Sequence, residues 1–233
     1  MVLGGLHKNS FIDFPGRISC VLFLRGCNFR CPYCHNPELA RGAGGGKGNR
    51  LSEEDVYGFL SQRRGFLDGV VVSGGEPTLQ AELPRLCTKV KEMGYPVKLD
   101  TNGSRPEILK FLIDEGMVDY VAMDLKTIPS RYNLVAGSDL EASDILKSIE
   151  LIMESGIAYE FRTTCVRPIV YEDDVLGIAR IVQGAQTYVL QRFHGEKVLS
   201  PEFFRGGGQG YDDEGMLTLK SLAEPWVQRC IIR

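Results

Sequence analysis

Six short apolar runs, each followed by a stretch with helical signals, restrict this chain to a small set of α/β folds. The runs are Ile18–Leu24, Val70–Val72, Pro96–Asp100, Tyr120–Asp124, Ala158–Thr163 and Thr187–Phe193. Val70–Val72 is apolar throughout, as a strand covered on both faces requires. Ser52 stands three residues before Asp55, and Ser104 three before Glu107. Both have capping-box spacing, and Pro106 suits a first helical turn. Leu83, Leu86, Val90 and Met93 keep one helical face, with Gly94 as the cap. Ile145, Ile149 and Ile152 do the same before Gly156, and a last crossover helix is expected over Asp174 to Gln183. Alternating strands and helices predict a parallel sheet with right-handed crossovers. Six units fall short of a closed barrel of eight. The expected fold class is therefore α/β, an open partial (β/α)6 barrel. Residues 1–233 are expected to form one domain, with the tail 201–233 least constrained.

Composition narrows the function classes. Of 233 residues, 43% are apolar, enough for a full core, and the formal net charge is -3. Without a basic surplus, nucleic acid is not a favoured partner. No run approaches the ~18 apolar residues of a membrane span. The opening residues lack a basic-flanked apolar core, so a cytoplasmic protein is expected. Thiols stay reduced there, which leaves seven cysteines for metal, catalysis or burial rather than disulfides. The glycine-rich segments Arg41–Arg50 and Gly206–Gly210 read as loops, either mobile or passive. The first departs from phosphate-loop spacing, since Gly48 follows Lys47.

The chemistry concentrates in one segment, Gly26-Cys27-Asn28-Phe29-Arg30-Cys31-Pro32-Tyr33-Cys34-His35-Asn36. Three thiolates so spaced can wrap one compact iron–sulfur cluster. A cubane has four irons, so three cysteines leave one corner open to an external ligand. A zinc site is the alternative. Structural zinc takes four protein ligands, and His35 beside Cys34 is poorly placed to close a tetrahedron. Cys20 and Cys87 read as buried, Cys230 belongs to an apolar tail, and Cys165 faces either a cavity or the core.

Cys27, Cys31, Tyr33 and Cys34 match C-x-x-x-C-x-aromatic-C, and here the sequence resembles the radical S-adenosylmethionine superfamily. The resemblance implies a [4Fe–4S] cluster on Cys27, Cys31 and Cys34. It also implies S-adenosylmethionine chelated to the open iron and cleaved reductively to a 5′-deoxyadenosyl radical. Tyr33 would contact the adenine, although loop packing also accounts for an aromatic there. Ser73-Gly74-Gly75-Glu76-Pro77 follows the second run. On residues alone it is a tight turn or a close ligand approach. It resembles the superfamily's Gly-Gly-Glu motif, which assigns Gly74, Gly75 and Glu76 to the methionine amine.

Asp100-Thr101-Asn102-Gly103 and Asp124-Leu125-Lys126 end the next two runs. Asp124 and Lys126 share a strand face, which also fits a structural ion pair. Both segments resemble those of glycyl radical enzyme activases. The resemblance implies that Asp100 and Asp124 hold a monovalent cation and that Lys126 touches S-adenosylmethionine. Asn36 and His194 match further cofactor contacts, though a packing role for His194 stays open, and His194-Gly195 departs from the expected arginine–proline pair. No role is read for His7 or His35.

The segments Gly4–Gly16 and Arg25–Leu39 resemble activating proteins of anaerobic ribonucleoside-triphosphate reductase. That implies hydrogen abstraction from a backbone glycine of such a glycyl radical enzyme, with reduced flavodoxin or ferredoxin as electron donor. Two other readings stay open: a radical enzyme acting on a small molecule such as a deazapurine precursor, and a non-catalytic zinc module.

Overall fold

The computed structural model describes residues 2–42, 51–136, 141–195, 197–205 and 209–233. Most of Arg41–Arg50 and of Gly206–Gly210, read above as loops, lies outside them. In chain order the elements begin with strands β1 (Leu3–Ser10) and β2 (Ser19–Leu24), then helices α1 (Pro37–Ala40) and α2 (Glu53–Gln62). There follow β3 (Gly69–Gly74), α3 (Leu83–Glu92), β4 (Val97–Thr101), α4 (Pro106–Asp114) and β5 (Tyr120–Asp124). The remainder is α5 (Ala142–Glu154), β6 (Ala158–Cys165), α6 (Glu172–Ile181), β7 (Tyr188–Arg192), α7 (Asp213–Ala223) and β8 (Cys230–Ile232).

All six expected strands are present, Tyr120–Asp124 with the expected ends and the others with ends shifted by at most two residues. The helix ends follow their signals. Ser52 Oγ accepts from the Asp55 N–H at 3.1 Å, and Asp55 Oδ2 accepts from the Ser52 N–H at 2.9 Å. At the end of α3, the Tyr95 N–H reaches the Val90 carbonyl (3.3 Å) and the Gly94 N–H reaches Lys91 (2.8 Å), with Gly94 at φ +87°. That is a Schellman close, which needs a residue tolerant of positive φ. α4 opens at Pro106, and α6 runs Glu172–Ile181, two residues ahead of the expected Asp174 to Gln183.

The described residues form two compact units. The first comprises Met1–Asn28, Glu38–Thr101 and Glu107–Val121. Within it the strands run β1-β2-β3-β4: β2 pairs with β3 and β3 with β4 in parallel, whereas β1 is antiparallel to β2. Leu22, Val71, Leu99, Leu83 and Leu112 are wholly buried in this unit. Burying each such side chain is worth about 1.5–3 kcal/mol.

The second unit comprises Phe29–Pro37, Asn102–Pro106 and Ala122–Arg233. There β6, β7 and β8 lie side by side in parallel, with Phe161 opposite Tyr188 and Leu190 opposite Ile232. Strands β1, β8 and helix α7 were not expected from the apolar pattern.

Candidate active site

In the first unit, the cysteine loop leaves the carboxyl end of β2 under close backbone control. The Gly75 N–H donates to the Leu24 carbonyl (2.9 Å), the Glu76 N–H to Gly26 (2.8 Å), and Gln80 Nε2 to Arg25 (2.8 Å). Gly74 lies at φ +129°, and a Cβ there would overlap the Leu24 backbone. A Cβ at Gly75 would overlap the Gly26 carbonyl and press on the Cys27 nitrogen. The glycine pair thus seats the Gly-Gly-Glu turn against the residue that opens the cysteine loop. A sequence reading of close ligand approach is joined here by a close approach of backbone to backbone.

Glu76 is wholly buried. Its Oε1 accepts from the Thr78 N–H (3.1 Å), Thr78 Oγ1 (2.6 Å) and Thr101 Oγ1 (2.8 Å). Pro77–Leu79 forms a 3-10 turn that Glu76 caps, so this carboxylate is fixed before any ligand arrives. Asp100, on β4, is ion-paired with Lys98 two residues earlier on the same face. The Lys98 side chain is 0% exposed, and its ammonium lies 5.8 Å from the Tyr120 ring centre.

In the second unit the rest of the loop is held by its own contacts. The Arg30 N–H donates to the Val135 carbonyl (2.7 Å), Phe29 packs edge-on to Tyr132 at 6.1 Å, and the Ser200 N–H donates to Pro32 (3.0 Å). Cys31 is buried, with its sulfur 3.8 Å from the Val135 oxygen, while Cys27 and Cys34 are half-buried. Tyr33 is buried, and its hydroxyl has no hydrogen-bond partner among the described residues. Burial, reinforced by the Cys31 sulfur, pushes that hydroxyl well above the usual tyrosine range.

Asp124 receives Arg162 Nε on Oδ1 (2.7 Å) and Lys126 Nζ on Oδ2 (3.0 Å). Burial opposes its charge, but Arg162 and then Lys126 override it and hold the carboxyl well below the carboxylate range. Lys126 is likewise opposed by burial, yet Asp124, Tyr33 and Cys31 hold it firmly protonated. Its backbone N–H reaches the Tyr132 hydroxyl at 3.3 Å. Cys31, Tyr33, Asp124 and Lys126 are therefore electrostatic neighbours. Asn36 and His194 are exposed. His35 packs on Phe193 at 5.7 Å, and desolvation followed by His194 pulls it below the usual histidine range.

Thr78, Lys98 and Tyr132 were not singled out from the sequence, whereas Thr101 and Arg162 stand in polar strand-end segments to which no role of their own was given. Lys98 had a readable signal, since it precedes Asp100 on β4 by the same two-residue spacing that separates Asp124 from Lys126, which lies just beyond the end of β5. Arg162 and Tyr132 reach Asp124 and Lys126 only through tertiary structure.

The donor chemistry fits an iron–sulfur cluster. Cys20, Cys87, Cys165 and Cys230 are all buried within strands or a helix. Burial pushes the first three thiols up to about 12 and Cys230 up to about 11. Groups held as neutral thiols are poor ligands, because the thiolate binds metal. Cys165, left open between core and cavity, belongs to the core, its sulfur 3.6 Å from the Thr163 oxygen. Among the described residues no three His, Cys, Asp or Glu side chains gather to hold a single ion. A cubane asks for something else, one thiolate on each of three separate irons.

Residues 21–181 match the radical SAM superfamily. The chain is 35% identical, over 208 residues, to a Methanocaldococcus jannaschii protein designated a glycyl-radical enzyme activating enzyme, spanning 87% of this chain and 84% of that one. It is 34% identical over 169 residues to the pyruvate formate-lyase-activating enzyme of Clostridium pasteurianum, spanning 65% of this chain and 66% of that one. A crystal structure of a domain of pyruvate-formate lyase-activating enzyme from Bacteroides vulgatus shares the fold. Its TM-score is 0.57 at 18% identity, covering 71% of this chain and 98% of that one. The expected partial α/β barrel and the pairing of a [4Fe–4S] cluster with S-adenosylmethionine are those of this superfamily. The chain belongs to the radical SAM superfamily and, within it, to the glycyl radical enzyme activases.

Proposed function

We propose that this protein holds a [4Fe–4S] cluster on Cys27, Cys31 and Cys34 and activates a partner enzyme by taking hydrogen from one backbone glycine. The observation that carries the ligand assignment is the separation of thiols: four are locked in the core as neutral groups, and three lie on the loop after β2. When bound, the cluster supplies the electron that splits a C5′–S bond of S-adenosylmethionine, giving methionine and the 5′-deoxyadenosyl radical.

The protein's own residues bind and orient. Glu76, pre-set by three donors, offers negative charge to the methionine amine, with Gly74 and Gly75 as its seat. Lys126 keeps a permanent positive charge for the cofactor beside Tyr33. Tyr33 would contact the adenine, with Asn36 and His194 as further cofactor contacts. The Tyr33 hydroxyl, buried and without a hydrogen-bond partner among the described residues, supports a polar neighbour supplied by the ligand. A polar group buried without a partner costs about 1–3 kcal/mol.

The finer reading is that the partner is anaerobic ribonucleoside-triphosphate reductase, with reduced flavodoxin or ferredoxin as donor. Its support is the likeness of Gly4–Gly16 and Arg25–Leu39 to the activators of that reductase. A second reading, a formate-lyase type of partner, draws on the 34–35% identity to pyruvate formate-lyase-activating enzymes. The chain spans about half to two thirds of their length.

The test is anaerobic. The protein is loaded with iron and sulfide and reduced with S-adenosylmethionine, first alone and then with each candidate partner. A glycyl doublet in the electron paramagnetic resonance spectrum, on the reductase alone, is the expected result. A doublet on the formate-lyase alone reverses the choice of partner. 5′-Deoxyadenosine with no doublet on either keeps the radical chemistry and sends the reaction to another substrate.

A further inference from the structure

The likeness to activases implies a monovalent cation held by Asp100 and Asp124, and the residues present do not fit one. Lys98 is wholly buried, with its ammonium on the Asp100 carboxylate and beside the Tyr120 ring face. Lysine is almost never wholly buried unless paired, and breaking a buried pair leaves a charge uncompensated, so each partner requires the other. A metal cation at Asp100 would share one carboxylate with a fixed positive charge on the same strand face. At Asp124 each oxygen already has its own cation, Arg162 on Oδ1 at 2.7 Å and Lys126 on Oδ2 at 3.0 Å. These are two independent observations, one in each compact unit, of side-chain cations where a metal cation was expected.

We propose that in this protein the Lys98 ammonium takes the place of the monovalent cation at Asp100, so that it binds S-adenosylmethionine without potassium or sodium. This rests on the proposed function for the identity of the ligand. The charge that a dissociable ion would supply is then built into β4 and does not vary with the ionic content of the cell. Lys98 acts here as a positioning residue, through Asp100.

The experiment uses the whole 233-residue chain with its cluster loaded. Thallium(I), a potassium mimic, is titrated and followed by 205Tl nuclear magnetic resonance. In parallel, the affinity for S-adenosylmethionine is measured calorimetrically in potassium and in tetramethylammonium at equal ionic strength. The expected result is no saturable thallium binding and an affinity unchanged within about twofold between the two salts. Lys98→Met removes the charge at similar volume. It should acquire saturable thallium binding and a potassium dependence of about tenfold in affinity. Saturable thallium binding by the unaltered protein would overturn the inference, as would a Lys98→Met protein that folds and stays indifferent to potassium. If Lys98→Met does not fold, the unaltered protein's titration decides alone. Failure to form 5′-deoxyadenosine in either salt would instead strike the proposed function, and the thallium result would still stand.

Discussion

Burial alone would push the Asp124 carboxyl above its usual range, and it is the guanidinium of Arg162, then the ammonium of Lys126, that reverse the direction. A carboxyl depressed in the folded state contributes stability that is complete above its unfolded pKa of about 4 and is lost as pH falls below that. Arg162→Met should therefore cost about 2 kcal/mol at pH 6, and the gap to the unaltered protein should narrow at pH 3, as read by urea unfolding of the cluster-free protein. Glu76→Ala removes the buried acceptor shared by the Thr78 N–H, Thr78 Oγ1 and Thr101 Oγ1; about 3 kcal/mol of lost stability is expected in the same assay. At this scale the sequence was legible where partners lie two residues apart, although β5 ends at Asp124 and Lys126, expected on the same strand face, lies just beyond it. Asp124 with Lys126 was read from spacing, and Lys98 with Asp100 could have been. Arg162 could not, because β6 meets Asp124 only after folding.

Elements were legible where the pattern that forms them is local. Ser52 and Asp55 close a capping box around the first turn of α2. Ser52→Ala should cost about 1 kcal/mol in thermal unfolding, a loss confined to stability. β1 escaped notice because Leu3–Ser10 has no β-branched residue and two glycines, and its order comes from antiparallel pairing with β2. β8 has three residues and depends on β7 for its existence. Gly74 and Gly75 show the same lesson within a motif. Their identity was legible, but the reason for Gly75, the carbonyl of Gly26 against it, needed the fold. Gly75→Ala should displace the turn from the cysteine loop. Iron bound after reconstitution should fall at least severalfold while the far-ultraviolet circular dichroism stays near that of the parent.

Across the whole molecule the seven cysteines divide by reactivity as well as by place. Cys20 and Cys87 lie in the first compact unit, Cys165 and Cys230 in the second, all buried and held neutral. Iodoacetamide attacks thiolates, so the cluster-free protein should be alkylated at Cys27 and Cys34 long before those four, as peptide mass spectrometry would read. Rapid labelling of Cys20 or Cys87 in the native protein would contradict their burial. The same burial bears on survival in air. Oxidation climbs from the thiolate through sulfenic acid to products that cannot be reversed. With four sulfurs kept off that ladder, an encounter with oxygen falls on the cofactor and its loop, while the sheet that shapes the loop stays chemically whole and ready to be recharged.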